Sequence, residues 1–273
     1  MLIDCKSIAQ SIDSETLSFV QKSLVKPKLV SITVKPDQST ISYLRSQQKK
    51  AQSLGIDFEI IDLEDNSLLE KSLIKVSQDK SIHGIFVAHP LPAGVDEMRI
   101  AELIKADKDI EGRNPLNLGY LAYGIEDFAP CTAMAVVTIL SSVTNLVGKN
   151  VVIIGRSTTV GLPVSIMLLR RDRSATVIVC HSKTKDIPSI TKRADVIVVA
   201  VGKAGFLTPE MVCDGSVVID VGINVVDGKI FGDVDKSVQE KAHVTPVPGG
   251  VGIVTTSILM NRVAKNAFRG DMT

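Results

Sequence analysis

The run Val151-Val152-Ile153-Ile154-Gly155-Arg156-Ser157-Thr158-Thr159-Val160-Gly161-Leu162-Pro163 leaves few folds open to this chain. Four successive β-branched apolar residues read as a strand buried on both faces, the pattern of a parallel sheet. The strand stops on a glycine, a second glycine follows, and an apolar stretch over 162–170 reads as a helix. A parallel strand needs crossover connections, so the rest of the chain must supply β-α units. It does. Strands are expected at 28–34, 58–63 and 82–88, with helices at 8–24, 39–54 and 68–77. Ser39 or Thr40 is positioned to cap the second helix, and Gly55 to stop it. Beyond a helix at 133–143, strands are expected at 151–154, 175–180, 195–201 and 216–221, with a short helix at 187–192 and a last one at 256–268. The prediction is an α/β protein of two domains. Residues 1–118 with 256–273 form the first, 119–148 a connecting helical segment, and 149–255 a Rossmann-type doubly wound domain.

Glycines where a strand turns into a helix let backbone approach a ligand closely, and the helix N-terminus favours phosphate. Gly155, Arg156, Ser157 and Gly161 are therefore candidate dinucleotide contacts. The spacing is not Gly-x-Gly-x-x-Gly, and a purely structural turn is the alternative. The next strand ends in Cys180-His181-Ser182-Lys183, without the acid that usually binds a ribose 2′-hydroxyl. A carboxylate there would repel a 2′-phosphate, whereas Ser182 can donate to one and Arg156 can pair with it, so NADP is favoured over NAD. With 31 Lys and Arg against 30 Asp and Glu, the chain has no field to gather nucleic acid. It has no Trp and three Tyr, too few rings for a base-stacking surface. The cysteines lack metal-site spacing, the first residues lack a signal-like apolar run, and no stretch suits a bilayer. A cytoplasmic enzyme without membrane, nucleic-acid or metal partners is expected.

Further segments carry a family resemblance. They are Tyr43 followed by a Lys-rich helix and Gly55-Ile56, Pro90-Leu91-Pro92, Lys108-Asp109-Ile110-Glu111-Gly112, Asn114-Pro115-Leu116-Asn117-Leu118-Gly119, Pro130-Cys131-Thr132, Ile219-Asp220-Val221-Gly222-Ile223-Asn224 and Thr245-Pro246-Val247-Pro248-Gly249-Gly250-Val251-Gly252. With the Gly155-Arg156-Ser157 turn, the chain resembles the methylenetetrahydrofolate dehydrogenase/cyclohydrolase family over nearly its full length. The resemblance implies a folate cleft between an N-terminal domain and a Rossmann-type domain, and a homodimer built through the cofactor domains. It implies oxidation of 5,10-methylenetetrahydrofolate with NAD(P), and in most members hydrolysis of the methenyl product to 10-formyltetrahydrofolate. Gly155, Arg156, Ser157, Ser182 and the backbone near Ile223 would contact the dinucleotide. Tyr43, Pro90, Leu91, Pro92, Glu111, Pro248, Gly249 and Gly250 would contact substrate, with Tyr43, Gln47 and Glu111 at the catalytic positions.

Three of these positions depart from the family pattern. Gln47 stands four residues after Tyr43, where the family has a catalytic Lys; Ala88 stands where its partner Gln would be; Glu111 replaces an Asp that holds the pterin. Hydride transfer depends on positioning and moves no proton at the reacting carbon, so it should survive. Hydrolysis must activate water, and an amide cannot titrate; weak hydrolysis, or another route, is expected. Lys50, one turn beyond Gln47, and His89 are possible substitute bases; a solvated charge and a structural imidazole are the plainer alternatives. A monofunctional dehydrogenase, a silent folate- and NADP-binding protein, and a shikimate-dehydrogenase-like enzyme are the competing readings.

Overall fold

The structure, a computed structural model, describes residues 1–270. Positions 271–273 of the expected first domain lie outside the described residues. The chain divides into two compact units, one of Ser11–Tyr120 with the chain from Thr256, the other of Met1–Gln10 with Leu121–Thr255.

In the first of these units, β1 (Lys28–Val34) is central because its Leu29, Val30 and Ile32 are wholly buried. It pairs in parallel with β2 (Asp57–Leu63) along its full length and with β3 (Gly84–Val87) on the other side. The crossovers are α2 (Gln38–Ser53) and α3 (Leu69–Gln78), and α1 (Cys5–Lys22) precedes them. Val30, Ile32, Leu73, Ile85 and Ile100 share one core. The expected capping of α2 is corrected: Asp37 is the cap, its carboxylate accepting from Thr40 N at 2.7 Å and from Ser39 Oγ at 2.8 Å. A carboxylate is the better partner for the positive end of the helix dipole, so both hydroxyl residues fall inside the first turn. The strand expected at 82–88 is shorter, and Pro90, just past it, has no N–H to extend the ladder.

A second clasp in this unit sets the segment after β3. Asp109, buried, accepts from Gly112 N at 3.1 Å, Asn114 N at 2.7 Å and Asn117 Nδ2 at 2.9 Å. Asn114 Nδ2 in turn donates to the carbonyls of Ala101 and Ile104 at 3.2 and 2.8 Å, tying down α4 (Glu97–Leu103). Asn117 also belongs to α5 (Pro115–Ala122), which starts four residues before the helical segment expected from 119, whereas α4 lies where no helix is expected.

In the other unit, β4 (Asn150–Ile154), β5 (Thr176–Cys180), β6 (Val196–Val199), β7 (Val217–Asp220) and β10 (His243–Val244) form one parallel sheet in the order β10-β7-β6-β4-β5. Val152, Ile154, Ile197, Val199 and Val218 pack into one core, consistent with strands read as continuous apolar runs. The helices are α6 (Cys131–Val143), α7 (Gly161–Leu168) and α8 (Ile187–Thr191). A hairpin of β8 (Asn224–Val226) and β9 (Lys229–Phe231) turns on Asp227-Gly228, both at positive φ. The first ten residues group with this unit because Ile3 N donates to Val244 O at 2.9 Å. The last helix, α9 (Val251–Gly270), begins five residues before the expected 256, directly at the end of the double-glycine loop. No helix among the described residues is long and apolar enough to cross a membrane.

Replacing Asp109 by Ala would leave Asn114 N without its acceptor and take one of two acceptors from Gly112 N and from Asn117 Nδ2. A loss of about 3 kcal/mol in unfolding free energy is expected, read from the shift of a urea transition.

Candidate active site

The glycine turn is built as its sequence requires. Gly155 sits at φ +125°, and a Cβ there would stand 2.4 Å from Ala200 O. A Cβ on Gly161 would stand 2.0 Å from Gly155 O, so neither position admits a side chain. Between them the loop is self-bonded: Ser157 Oγ accepts from Val160 N at 3.1 Å, and Ser157 O from Leu162 N at 3.0 Å. Arg156 and Ser157 are exposed, and α7 starts without a side-chain cap. An exposed guanidinium and hydroxyl at a helix N-terminus that has no side-chain cap are suited to phosphate.

Ser182, exposed, follows the end of neighbouring β5, where His181 N donates to Thr184 Oγ1 at 2.9 Å. Ile223, 68% exposed, follows the end of β7. Arg156, Ser157, Ser182 and Ile223 therefore all lie at the C-terminal edge of one sheet, where ligands of open α/β sheets bind. In the same unit β10 leads through Thr245 and Pro246 into Pro248 and Gly249, both exposed, and buried Gly250.

The other unit carries the remaining candidates. On α2 the inner stripe is Thr40, Leu44, Gln47 and Ala51, and Tyr43, 47% exposed, stands beside it. Gln47 is only 3% exposed; its Nε2 donates to Thr256 Oγ1 at 3.0 Å, and its Oε1 finds no partner among the described residues. Lys50 is ion-paired with Asp13, so it is neither a solvated charge nor a base turned back toward Gln47. Pro90, Leu91 and Pro92 line a cavity of about 410 Å³ with Thr33, Lys35 and Asp37; Tyr43, Gln47 and Glu111 are not among its walls.

His89 and Glu111 are linked by two residues the sequence did not single out. His89 Nδ1 lies 3.4 Å from Glu97 Oε1, which takes Arg113 Nη1 at 3.3 Å, while Arg113 Nε lies 3.4 Å from Glu111 Oε2. Burial, reinforced by the Arg113 cation and opposed by Glu97, pushes His89 down to about 4, so its imidazole is neutral at pH 7. Burial pushes the Glu111 carboxyl up to about 7; Arg113 pulls it down and Asp109 pushes it up. Among the described residues no cluster of His, Cys, Asp and Glu could hold a metal ion.

This is the architecture of a two-domain α/β dinucleotide enzyme, and comparison with known proteins narrows it. Residues 3–111 match the tetrahydrofolate dehydrogenase/cyclohydrolase catalytic domain, and residues 130–270 match the NAD(P)-binding domain of the same enzymes. The chain belongs to the tetrahydrofolate dehydrogenase/cyclohydrolase family. It is 68% identical over 271 residues to the bifunctional protein FolD of Pseudothermotoga lettingae, covering 99% of each chain. The bifunctional FolD dehydrogenase/cyclohydrolase of Campylobacter jejuni superposes with a TM-score of 0.93 at 38% identity, covering 98% of each chain. The Trypanosoma brucei enzyme, solved with NADP and an inhibitor, gives 0.89 at 32% identity, covering 98% of this chain and 97% of that one.

The folded-state pKa of Glu111 is raised, so the folded chain holds this proton when the unfolded chain has lost it. Its contribution to stability is full below the ordinary 4.5 and is lost as pH rises to about 7. A carboxyl-selective NMR titration should show a midpoint near 7 for Glu111, and a still higher one in Arg113→Ala; a midpoint below 5 in the parent would refute the burial argument.

Proposed function

We propose that this chain oxidises 5,10-methylenetetrahydrofolate to 5,10-methenyltetrahydrofolate with NADP, and hydrolyses the product to 10-formyltetrahydrofolate. The observation that carries the reading is the family match in both units, joined to a glycine turn that presents Arg156 and Ser157 outward. Arg156, Ser157 and Ser182 would hold the 2′-phosphate and pyrophosphate of NADP, with Gly155 and Gly161 allowing the approach and Ile223 contacting the far half. The absence of an acid at the end of β5 supports NADP over NAD, as does the cofactor of the T. brucei relative. When bound, the nicotinamide supplies the hydride acceptor.

Tyr43, Pro90, Leu91, Pro92, Pro248, Gly249 and Gly250 would shape the folate site. Glu111, as carboxylate, would receive the pterin 2-amino and N3 hydrogens. Hydrolysis needs water to add to the methenyl carbon and one proton to leave that oxygen before the ring opens. That proton passes to solvent water, since Gln47 cannot take it; the unpartnered buried Oε1 of Gln47 can receive a hydrogen bond from the attacking water and orient it. Lys50, committed to Asp13, is a poor substitute, and neutral His89 is too weak a base to be decisive. Loss of hydrolysis, or of all catalysis, is not favoured, since a relative of 68% identity bears a bifunctional name. The shikimate-dehydrogenase-like reading gives way to the family match.

A homodimer through the cofactor units is part of the same reading. Strand β5 is the sheet's edge, and Ile178 and Val179 are 40% and 37% exposed on it. An open apolar edge favours pairing with a second copy. A cytoplasmic setting suits a chain with no disulfide among the described residues.

The deciding assay follows both half-reactions on one preparation. NADPH absorbance should rise with methylenetetrahydrofolate, and the methenyl band should decay faster with enzyme than without. Gln47→Leu should slow hydrolysis by about tenfold or more while oxidation stays within about threefold, whereas Gln47→Lys should speed hydrolysis. Hydrolysis indifferent to both changes would remove Gln47 from the mechanism. For assembly, Ile178→Lys should convert a dimeric elution mass to the monomeric one; a monomeric parent would defeat the edge-strand argument.

A further inference from the structure

Two buried carboxylates beyond the residues already assigned bind together three loops at the C-terminal edge of the five-stranded sheet. Asp233, wholly buried, accepts from Val201 N at 2.7 Å and Gly202 N at 2.9 Å through one oxygen. Through the other it accepts from Lys203 N at 2.8 Å and Asn224 Nδ2 at 2.9 Å. Three successive amides of the loop after β6 thus close on a single side chain. Asp220, the last residue of β7, accepts from Gly222 N and Asp233 N, both at 2.9 Å, and from Val234 N at 3.0 Å. Its own amide donates to Thr245 Oγ1 at 2.8 Å, on the segment that follows β10 and leads to Pro248 and Gly249. The fit is tight: a Cβ on Gly232 would stand 1.8 Å from Asp220 Oδ2, and one on Gly222 2.2 Å from Asp233 Oδ1.

We infer that Asp233 and Asp220 are positioning residues for the nicotinamide half of the dinucleotide. The inference rests on the NADP reading above. The phosphate-type features, the glycine turn and Ser182, follow β4 and β5 at one side of the sheet. A dinucleotide laid along the C-terminal edge from there extends over the ends of β6, β7 and β10, the three strands whose loops the carboxylates join. Ile223 makes the purpose legible. It is a large apolar residue left 68% exposed, yet its neighbours on both sides are fixed, Gly222 by Asp220 and Asn224 by Asp233. Folding gains nothing from holding an exposed apolar side chain still, whereas a ligand stacking there does.

Asp233→Asn keeps the size but turns an amide –NH2 toward backbone N–H donors. Binding of NADP and of 2′,5′-ADP, which carries only the phosphate-bearing half, should be measured by calorimetry with melting temperature and kcat alongside. The expected result is NADP binding weaker by about tenfold or more and a kcat reduced about as much, with 2′,5′-ADP binding within about twofold of the parent. Asn224→Ala, which removes one of the four bonds to Asp233, should give the same pattern at about threefold, and it decides the matter if the first variant does not fold. Parallel loss of both nucleotides, or unchanged NADP binding and kcat in both variants, would overturn the inference. A parent that binds neither nucleotide would overturn the NADP reading, and the inference with it.

Discussion

Burial of β4 on both faces governs what this chain can do with its second unit. Every residue of the strand after Asn150 is inaccessible, so no side chain of the strand itself can reach a ligand. Chemistry is confined to where the strand ends, and that end must turn within a space that excludes a Cβ at two positions. The exposed Arg156 and Ser157, the uncapped start of α7 and the parallel neighbours β5 and β6 all follow from this one strand. The small unit obeys the same rule through β1, whose loops, with those of β2 and β3, carry Lys35, Glu64 and Pro90 to one cavity.

The strands were legible because parallel burial writes itself as uninterrupted apolar runs; 28–34 was read to the residue, and 151–154 lacked only Asn150. The failures have local causes. Asp37 went unnoticed as a cap because two hydroxyl residues followed it, and α4 was obscured by its shortness. The Asp227-Gly228 pair was a readable hairpin signal, but its strands have only three residues each. The candidate site residues are legible in the sequence by type and motif. What no motif announced was their support: Asp109 behind Glu111, Arg113 between Glu111 and Glu97, and Asp233 behind Ile223. Such partners are fixed by three-dimensional proximity, and an aspartate in a loop looks the same in sequence whether it caps, clasps or simply faces water.

Gln47 shows how a polar side chain can be accommodated inside the packed face of a helix. It occupies the inner stripe of α2, where a neutral amide is buried more cheaply than an ammonium, and it satisfies half of its polar groups through Thr256 on α9. The cation one turn later has gone to Asp13. The Lys50 charge therefore ties α2 to Asp13 of α1, and the buried stripe of α2 carries an uncharged amide at Gln47.

The glycine turn also sets what evolution can alter here. At its two glycines a Cβ would stand 2.4 and 2.0 Å from backbone oxygens, whereas Arg156 and Ser157 between them, and Ser182 at the next strand end, are exposed. Within seven residues two sterically constrained glycines bracket the exposed Arg156 and Ser157. On the proposed reading of these side chains, nucleotide preference can change one residue at a time while the glycines that shape the turn stay fixed by sterics, which separates the heritable shape of the site from its choice of cofactor.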